Sequence, residues 1–216
     1  MRLFITFEGP DGSGKTTQAR RLAARLRSQG HDVIYVREPG GTAIGDQIRQ
    51  IVHDMRNVEM QPKAELLLYS ASRAQLVEQV IRPHLARGGI VVCDRYADSS
   101  LAYQGYGRGL DLDMVQRIQA FATGGLFPEL TFYLDLDVEE GLRRRLAGRA
   151  EWNRLDDQEL DFHRRVREGY ARLIAADTTG RWRVINAARS VDEIHADIWR
   201  TVEEFLTAEA QRTQSI

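Results

Sequence analysis

Cysteine is nearly absent from this chain. Cys93 stands alone among 216 residues, so no disulfide can form within it, and the stapled framework of small secreted domains is excluded. Its setting in an apolar run makes it a small apolar residue of a strand. Long hydrophobic runs are missing too. The N-terminal run Leu3 to Phe7 stops at Glu8, short of the about 7–15 residues of a signal peptide's apolar region, and no stretch approaches the about 20 residues of a membrane span. A cytoplasmic protein with no membrane partner is the expectation. Nor is there an excess of charge of one sign. Thirty basic and 31 acidic side chains leave a formal net charge of −1, which argues against nucleic acid as the main partner and requires any anion site to be local. Lysine is scarce, with Lys15 and Lys63 the only two, so arginine is the default cation and informs only through its position.

What is present is the composition of a globular protein, 43% hydrophobic and 28% charged, at a length that suits one domain over 1–216. Short apolar runs alternate with segments of helical period, the pattern of an α/β protein with a parallel sheet. Strands are expected at Leu3 to Phe7, Asp32 to Val36, Ile90 to Cys93, Leu130 to Asp135 and Trp182 to Ile185. Between and after them, three sets recur at helical spacing and read as core-facing stripes: Ala19, Leu22, Ala23, Leu26; Phe162, Val166, Tyr170, Leu173; and Val191, Ile194, Ile198, Val202. Ser190 to Glu193 fits a capping box ahead of the last helix. Arg143 to Arg154 is an arginine-rich interruption with little that could pack, and it reads as a mobile surface segment.

Chemistry enters at Gly9-Pro10-Asp11-Gly12-Ser13-Gly14-Lys15-Thr16, which matches G-x-x-x-x-G-K-[ST], the phosphate-binding P-loop. Its glycines let successive backbone N–H groups face one concavity, and the strand before and helix after supply the context the motif needs. Lys15 would reach the β- and γ-phosphates of a nucleotide, and the Thr16 hydroxyl would ligate Mg²⁺. A second magnesium carboxylate is expected at the end of a neighbouring strand, where Ile90-Val91-Val92-Cys93-Asp94 supplies Asp94. Asp135 and Asp137 are rivals, but a helix start at Val138 to Glu140 explains them as capping residues. No N-K-x-D motif of a guanine-specific switch is present, since Asn153-Arg154-Leu155-Asp156 lacks the lysine, and no transport-ATPase signature occurs. Arg37 and Arg95 instead follow the second and third strands, at the carboxyl ends where open parallel sheets bind ligands. The pattern favours phosphoryl transfer to a second molecule.

Several motifs in order, from Phe4 to about Leu206, resemble the thymidylate kinases in their bacterial form. They are Phe7 to Thr17, Arg37-Glu38-Pro39-Gly40-Gly41-Thr42, Tyr69-Ser70-Ala71-Ser72-Arg73, Asp94 through Gly105, and Asn153-Arg154-Leu155-Asp156. The resemblance implies the P-loop nucleoside monophosphate kinase fold, a five-stranded parallel sheet flanked by helices with a lid over about 143–157. It also implies transfer from ATP to dTMP with Mg²⁺, and a homodimer packed through helices. ATP would be bound by Gly9 to Thr17. Arg37, Arg49 and Arg95 would hold the dTMP phosphate, Arg73 would donate to thymine O4, Tyr69 would stack on the base, and Ser99, Ser100 and Gln104 would complete that site. Glu38 and Asp11 would contact the sugar, the acceptor phosphate or magnesium-bound water. Tyr103 would lie beside C2′ and exclude ribonucleotides. Because the loop itself offers only Lys15, the remaining catalytic cations would be Arg95 and the lid residues Arg149 and Arg154. A deoxynucleoside kinase and a regulatory ATP-binding module are the alternatives.

Overall fold

The five apolar runs are rich in β-branched and aromatic residues and are stopped by polar turns, the conditions under which a chain prefers a buried strand. In the computed structural model, which describes residues 2–147 and 152–214, they form β1 (Leu3–Glu8), β2 (Val33–Arg37), β3 (Ile90–Asp94), β4 (Leu130–Asp135) and β5 (Trp182–Asn186). All are parallel, in the order β2-β3-β1-β4-β5. Four of them run one residue further than the apolar pattern suggests, so Glu8, Arg37 and Asp94 are themselves strand residues, with Asp94 opposite both Phe7 and Arg37.

The described helices are α1 (Lys15–Ser28), α2 (Ala43–His53), α3 (Pro62–Leu76), α4 (Arg82–Ala86), α5 (Ala97–Ser100), α6 (Leu112–Thr123), α7 (Val138–Ala147), α8 (Leu160–Ala175) and α9 (Val191–Gln214). A π-helical stretch, Val77–Ile81, makes α3 and α4 continuous, and another, Leu101–Gly107, extends α5. Side chains alternate across the sheet. Leu3, Ile5 and Phe7 of β1 pack with Leu22 and Leu26 of α1 and Ile194, Ile198 and Val202 of α9. On the other face Phe4 packs with Leu76, Ile81 and Leu85, while Phe162, Val166 and Tyr170 of α8 meet Tyr103 and Tyr133. Glu8 shares the face of Phe4 and is thereby aimed into the α5 and α8 side of the molecule.

Two expectations are corrected. Val191 is not part of the core stripe. As the first residue of α9 it meets α1 through its backbone carbonyl, which accepts from Gln18 Nε2 at 2.8 Å, while its side chain is exposed, although the capping box forms as expected, with Ser190 N–H on Glu193 Oε2 at 3.0 Å and Glu193 N–H on Ser190 Oγ at 3.3 Å. The described parts of the segment from 143, which leave out residues 148–151, are also not all on the surface. Arg143 to Ala147 complete α7, and Arg154, Leu155 and Asp156 are buried, Arg154 being neutralised by Glu65 and Asp156 by Arg145.

Candidate active site

The loop after β1 leaves the centre of the sheet, where the strand order reverses and a crevice opens. Gly12 adopts φ +78°, and a Cβ there would lie 2.0 Å from the Gly141 carbonyl oxygen, so the loop can carry no side chain at that point. Gly14 caps α1 in the left-handed conformation without any side-chain cap, which leaves the first N–H groups of the helix free for an anion. Lys15 Nζ donates to the Pro10 carbonyl at 2.7 Å and to Ser13 Oγ at 3.4 Å. Burial and the nearby Arg95 bring its pKa down to about 8. The Thr16 hydroxyl donates to the Asp94 carboxylate. The rivals are otherwise engaged. Asp135 pairs with Arg167 at 2.9 Å, and Asp137 accepts the Glu139 and Glu140 N–H groups at the start of α7.

A cleft of about 1080 Å³ joins this loop to the carboxyl ends of β2 and β3. It takes in Asp11, Gly12, Gly14, Lys15 and Thr16, together with Arg37, Glu38, Arg49, Tyr69, Arg73, Asp94, Arg95, Ser99, Ser100, Tyr103 and Gln104. Gly9, Pro10, Ser13 and Thr17 form the loop without lining the cleft.

Arg37 and Arg49 both donate to the Pro39 carbonyl, at 3.5 and 3.1 Å. Arg37 has a distant partner in Asp46 at 3.7 Å, whereas Arg49 belongs to no ion pair among the described residues. Burial and Arg37 together push the Arg49 pKa down, the mark of a cation held near another cation. Arg95 sits at φ +71° directly after β3 and crosses to the P-loop. Its Nη2 donates to Asp11 Oδ1 at 2.6 Å and to the Tyr103 hydroxyl at 2.9 Å, and its Nη1 to the Gly9 carbonyl at 3.1 Å. Tyr103 in turn donates to Asp11 Oδ2 at 2.8 Å. Burial alone would raise the Asp11 pKa, but Arg95 and Lys15 outweigh it and hold the carboxyl well below the usual carboxylate range.

Further from the loop, Tyr69 and Gln104 stand on the cleft wall beside Arg73 and Ser100. Arg73 is fully buried, and four hydrogen bonds and an ion pair hold its guanidinium within the protein. Nε and Nη2 bind Glu38 Oε2, Nη1 binds Ser100 Oγ and Gln119 Oε1, and Nη2 also binds the Tyr96 carbonyl. The expected donation from Arg73 to a base would compete with these partners. Ser100 accepts from Arg73, and its own hydroxyl proton has no acceptor among the described residues.

A model of the family described as "Thymidylate kinase" matches residues 7–198. The chain belongs to the thymidylate kinase family. It is 55% identical over 219 residues to a thymidylate kinase of Roseiflexus sp. (strain RS-1), covering 96% of each chain. It is 56% identical over 202 residues to one of Deinococcus radiodurans, covering 94% of this chain and 97% of the relative. The crystal structure of thymidylate kinase from Ehrlichia chaffeensis superposes with a TM-score of 0.75 at 31% identity, covering 93% of this chain and 98% of that one.

Of the two lid arginines that the family resemblance pointed to, Arg149 lies outside the described residues. Arg154 does not line the cleft, its guanidinium paired with Glu65 and its Nε on the Val52 carbonyl at 3.2 Å. The turn that carries it is built by Asn153 and the buried Asp156, which also pairs with Arg145 at 2.7 Å. Three residues of this thymidylate kinase site went unread in the sequence. Glu8 accepts from the Tyr96 N–H, the Ser99 hydroxyl and the Tyr170 hydroxyl at 2.6–2.8 Å, and burial pushes it up to about 7. Glu65, in the first turn of α3, has no motif around it in the sequence. His53, on the cleft wall at the end of α2, is pushed down to about 3 by burial and Arg49, so it is neutral. Only Glu8, inside a motif, carried any local signal.

Proposed function

We propose that this chain transfers the γ-phosphoryl group of ATP to dTMP, giving ADP and dTDP. The observation that carries the reading is the set Arg37, Arg49 and Arg95 facing one cleft beside the P-loop, with Arg49 lacking any carboxylate partner among the described residues. Forked guanidinium donors at this density suit an anionic acceptor and are superfluous for a hydroxyl. An acceptor monophosphate has its second pKa at about 6, so it is largely a dianion near neutral pH and needs no general base. One of its oxygens attacks the γ-phosphorus in line, the bond to the bridging oxygen breaks, and that oxygen leaves on ADP with the electron pair. Asp11, held as an anion, accepts no proton and instead orients Arg95.

Thr16 and Asp94 offer a hydroxyl and a carboxylate side by side, a hard-oxygen pair suited to Mg²⁺, which keeps most of its other ligands as water and substrate phosphate. When bound, Mg²⁺ would neutralise charge on the β- and γ-phosphate oxygens. Lys15 covers the same oxygens from the loop. Arg149 takes the part of a lid cation at the transferring group, and Arg154 joins it only by leaving Glu65 on lid closure. The thymine ring lies against Tyr69 with its polar edge toward Ser100 and Gln104, and Ser99 and Glu38 support this wall. The ring of Tyr103 stands where a ribose 2′-hydroxyl would collide.

α3 packs against both α2 and α6, and this layer keeps Ile44, Ile51, Leu67, Met114 and Phe121 exposed, an apolar face suited to a second copy of the chain. Sedimentation at micromolar concentration should give about twice 24.6 kDa, and a monomer throughout would remove the dimer. The reaction is tested by ADP release across a panel of nucleoside monophosphates and thymidine. Turnover greatest with dTMP is expected. Preference for thymidine would make the protein a nucleoside kinase, and hydrolysis indifferent to any acceptor would remove transfer altogether.

A further inference from the structure

Glu65 takes no part in the reaction as described, yet it is fully buried and four N–H donors converge on it. Gln104 Nε2 donates to Oε1 at 2.9 Å, Arg108 donates to Oε1 at 3.3 Å and to Oε2 at 3.0 Å, and Arg154 also donates to Oε2. Burial would raise its pKa, but the bonds from Arg108, Gln104 and Arg154 outweigh it and keep the carboxyl below its ordinary range. An ionised carboxylate can only accept. This decides the orientation of Gln104, because an amide facing an acceptor-only group must turn its NH₂ toward it. The reverse orientation would set two acceptor oxygens against each other in a buried place. Gln104 lies on the cleft wall, and nothing among the described residues donates to its Oε1.

Ser100 adds the complementary half. It is four residues earlier on the same helical stretch, accepts from Arg73, and has a hydroxyl proton to give. The wall thus presents a donor at Ser100 and an acceptor at Gln104. Thymine and uracil offer the matching acceptor O4 and donor N3–H. Cytosine offers the opposite polarity, an amino group and an unprotonated N3.

We propose that Glu65 is a specificity-determining positioning residue: by holding the Gln104 NH₂ it fixes the amide carbonyl toward the cleft, admitting pyrimidines with a ring N–H and rejecting cytosine. The proposal rests on the reading that the base of the acceptor nucleotide meets this wall. It also gives Arg108 and Arg154 a present task, which is to keep Glu65 ionised.

The test compares kcat/KM for dTMP, dUMP and dCMP in the wild type and in Glu65→Gln, which can face Gln104 with either a donor or an acceptor. The variant should lower the dTMP-to-dCMP ratio at least about tenfold, with dCMP turnover rising in absolute terms, a change that a folding defect cannot produce. A ratio within twofold of wild type in a folded variant overturns the proposal. If Glu65→Gln does not fold, the wild type still decides. The side-chain NH₂ signal of Gln104 in ¹⁵N NMR, assigned by its loss in Gln104→Leu, should be protected from solvent exchange without substrate and stay so when dTMP binds. Protection gained only on dTMP binding would show the NH₂ facing the cleft and overturn it. A wild type that phosphorylates none of the three nucleotides refutes the proposed function instead, and the amide signal then judges Glu65's hold by itself.

Discussion

Arg49 and Arg73 line the same cleft and are the same residue type, yet the structure gives them opposite tasks, and replacing each by alanine should separate binding from folding. Arg49 has one hydrogen bond, to the Pro39 carbonyl, and sits near Arg37 with no carboxylate partner among the described residues. Its removal relieves some repulsion and strips no buried anion, so Tm should move by no more than about 2 °C, in keeping with about 0.5 kcal/mol for such positions. A bond from Arg49 to the acceptor phosphate, as proposed, would be charge-assisted and worth about 1.5–3 kcal/mol, which predicts about a 10- to 150-fold loss in kcat/KM for dTMP with the KM for ATP little changed. Arg73→Ala should do the reverse. It leaves Glu38 buried and uncompensated, a loss of about 3–5 kcal/mol, and at about 2–4 °C per kcal/mol for a chain of this size Tm should drop by about 6–20 °C. Thermal melts beside a coupled ADP-release assay read both effects. Equal destabilisation by the two variants, or a dTMP kcat/KM untouched in Arg49→Ala, would refute the reasoning.

Lys15 must be protonated to meet phosphate, and its pKa is lowered to about 8 in the free protein, so kcat/KM for ATP should fall as pH rises through about 8. A profile flat to pH 9.5 would contradict this. Tyr103 shares its hydroxyl with Asp11 and Arg95, and in the proposed function its ring stands at the sugar. Tyr103→Ala should raise the use of ribothymidine monophosphate relative to dTMP, whereas Tyr103→Phe should leave that ratio unchanged, and the same ratio in both variants would place the gate elsewhere. Gly12→Ala should abolish ATP binding measured by calorimetry, since its Cβ would strike the Gly141 carbonyl, and an unaltered affinity would show that the loop can shift.

The parts of the site that were legible in the sequence are those whose chemistry is set by neighbours along the chain. The P-loop glycines, Lys15 and Thr16 announce their conformation by spacing, and Asp94 follows as the polar end of a buried strand. Arg37 and Arg95 could be placed because strand ends gather at one edge of a parallel sheet. What could not be read depends on partners far apart in sequence. Glu65 draws its meaning from residues 104, 108 and 154, and Glu8 from residues 96, 99 and 170. Arg73 was legible as a cation but not as one held within the protein, since that hold is a property of Glu38, Ser100, Gln119 and Tyr96 together. The burial of Arg154 was not legible for the same reason, because a charged run looks solvated until its buried carboxylate is known.

The cleft takes its walls from the ends of β1, β2 and β3, adjacent in the sheet but separated in the chain by whole helices, so no continuous fragment contains it. An occupant therefore cannot bind a partly assembled chain, and its binding energy falls on the global unfolding equilibrium. At a hundredfold excess over Kd a nucleotide would add about 2.7 kcal/mol to the stability of every protected amide in the sheet, including those at the opposite end. In a cell the supply of substrate would then set how much of this protein survives its proteases, as well as how fast it works.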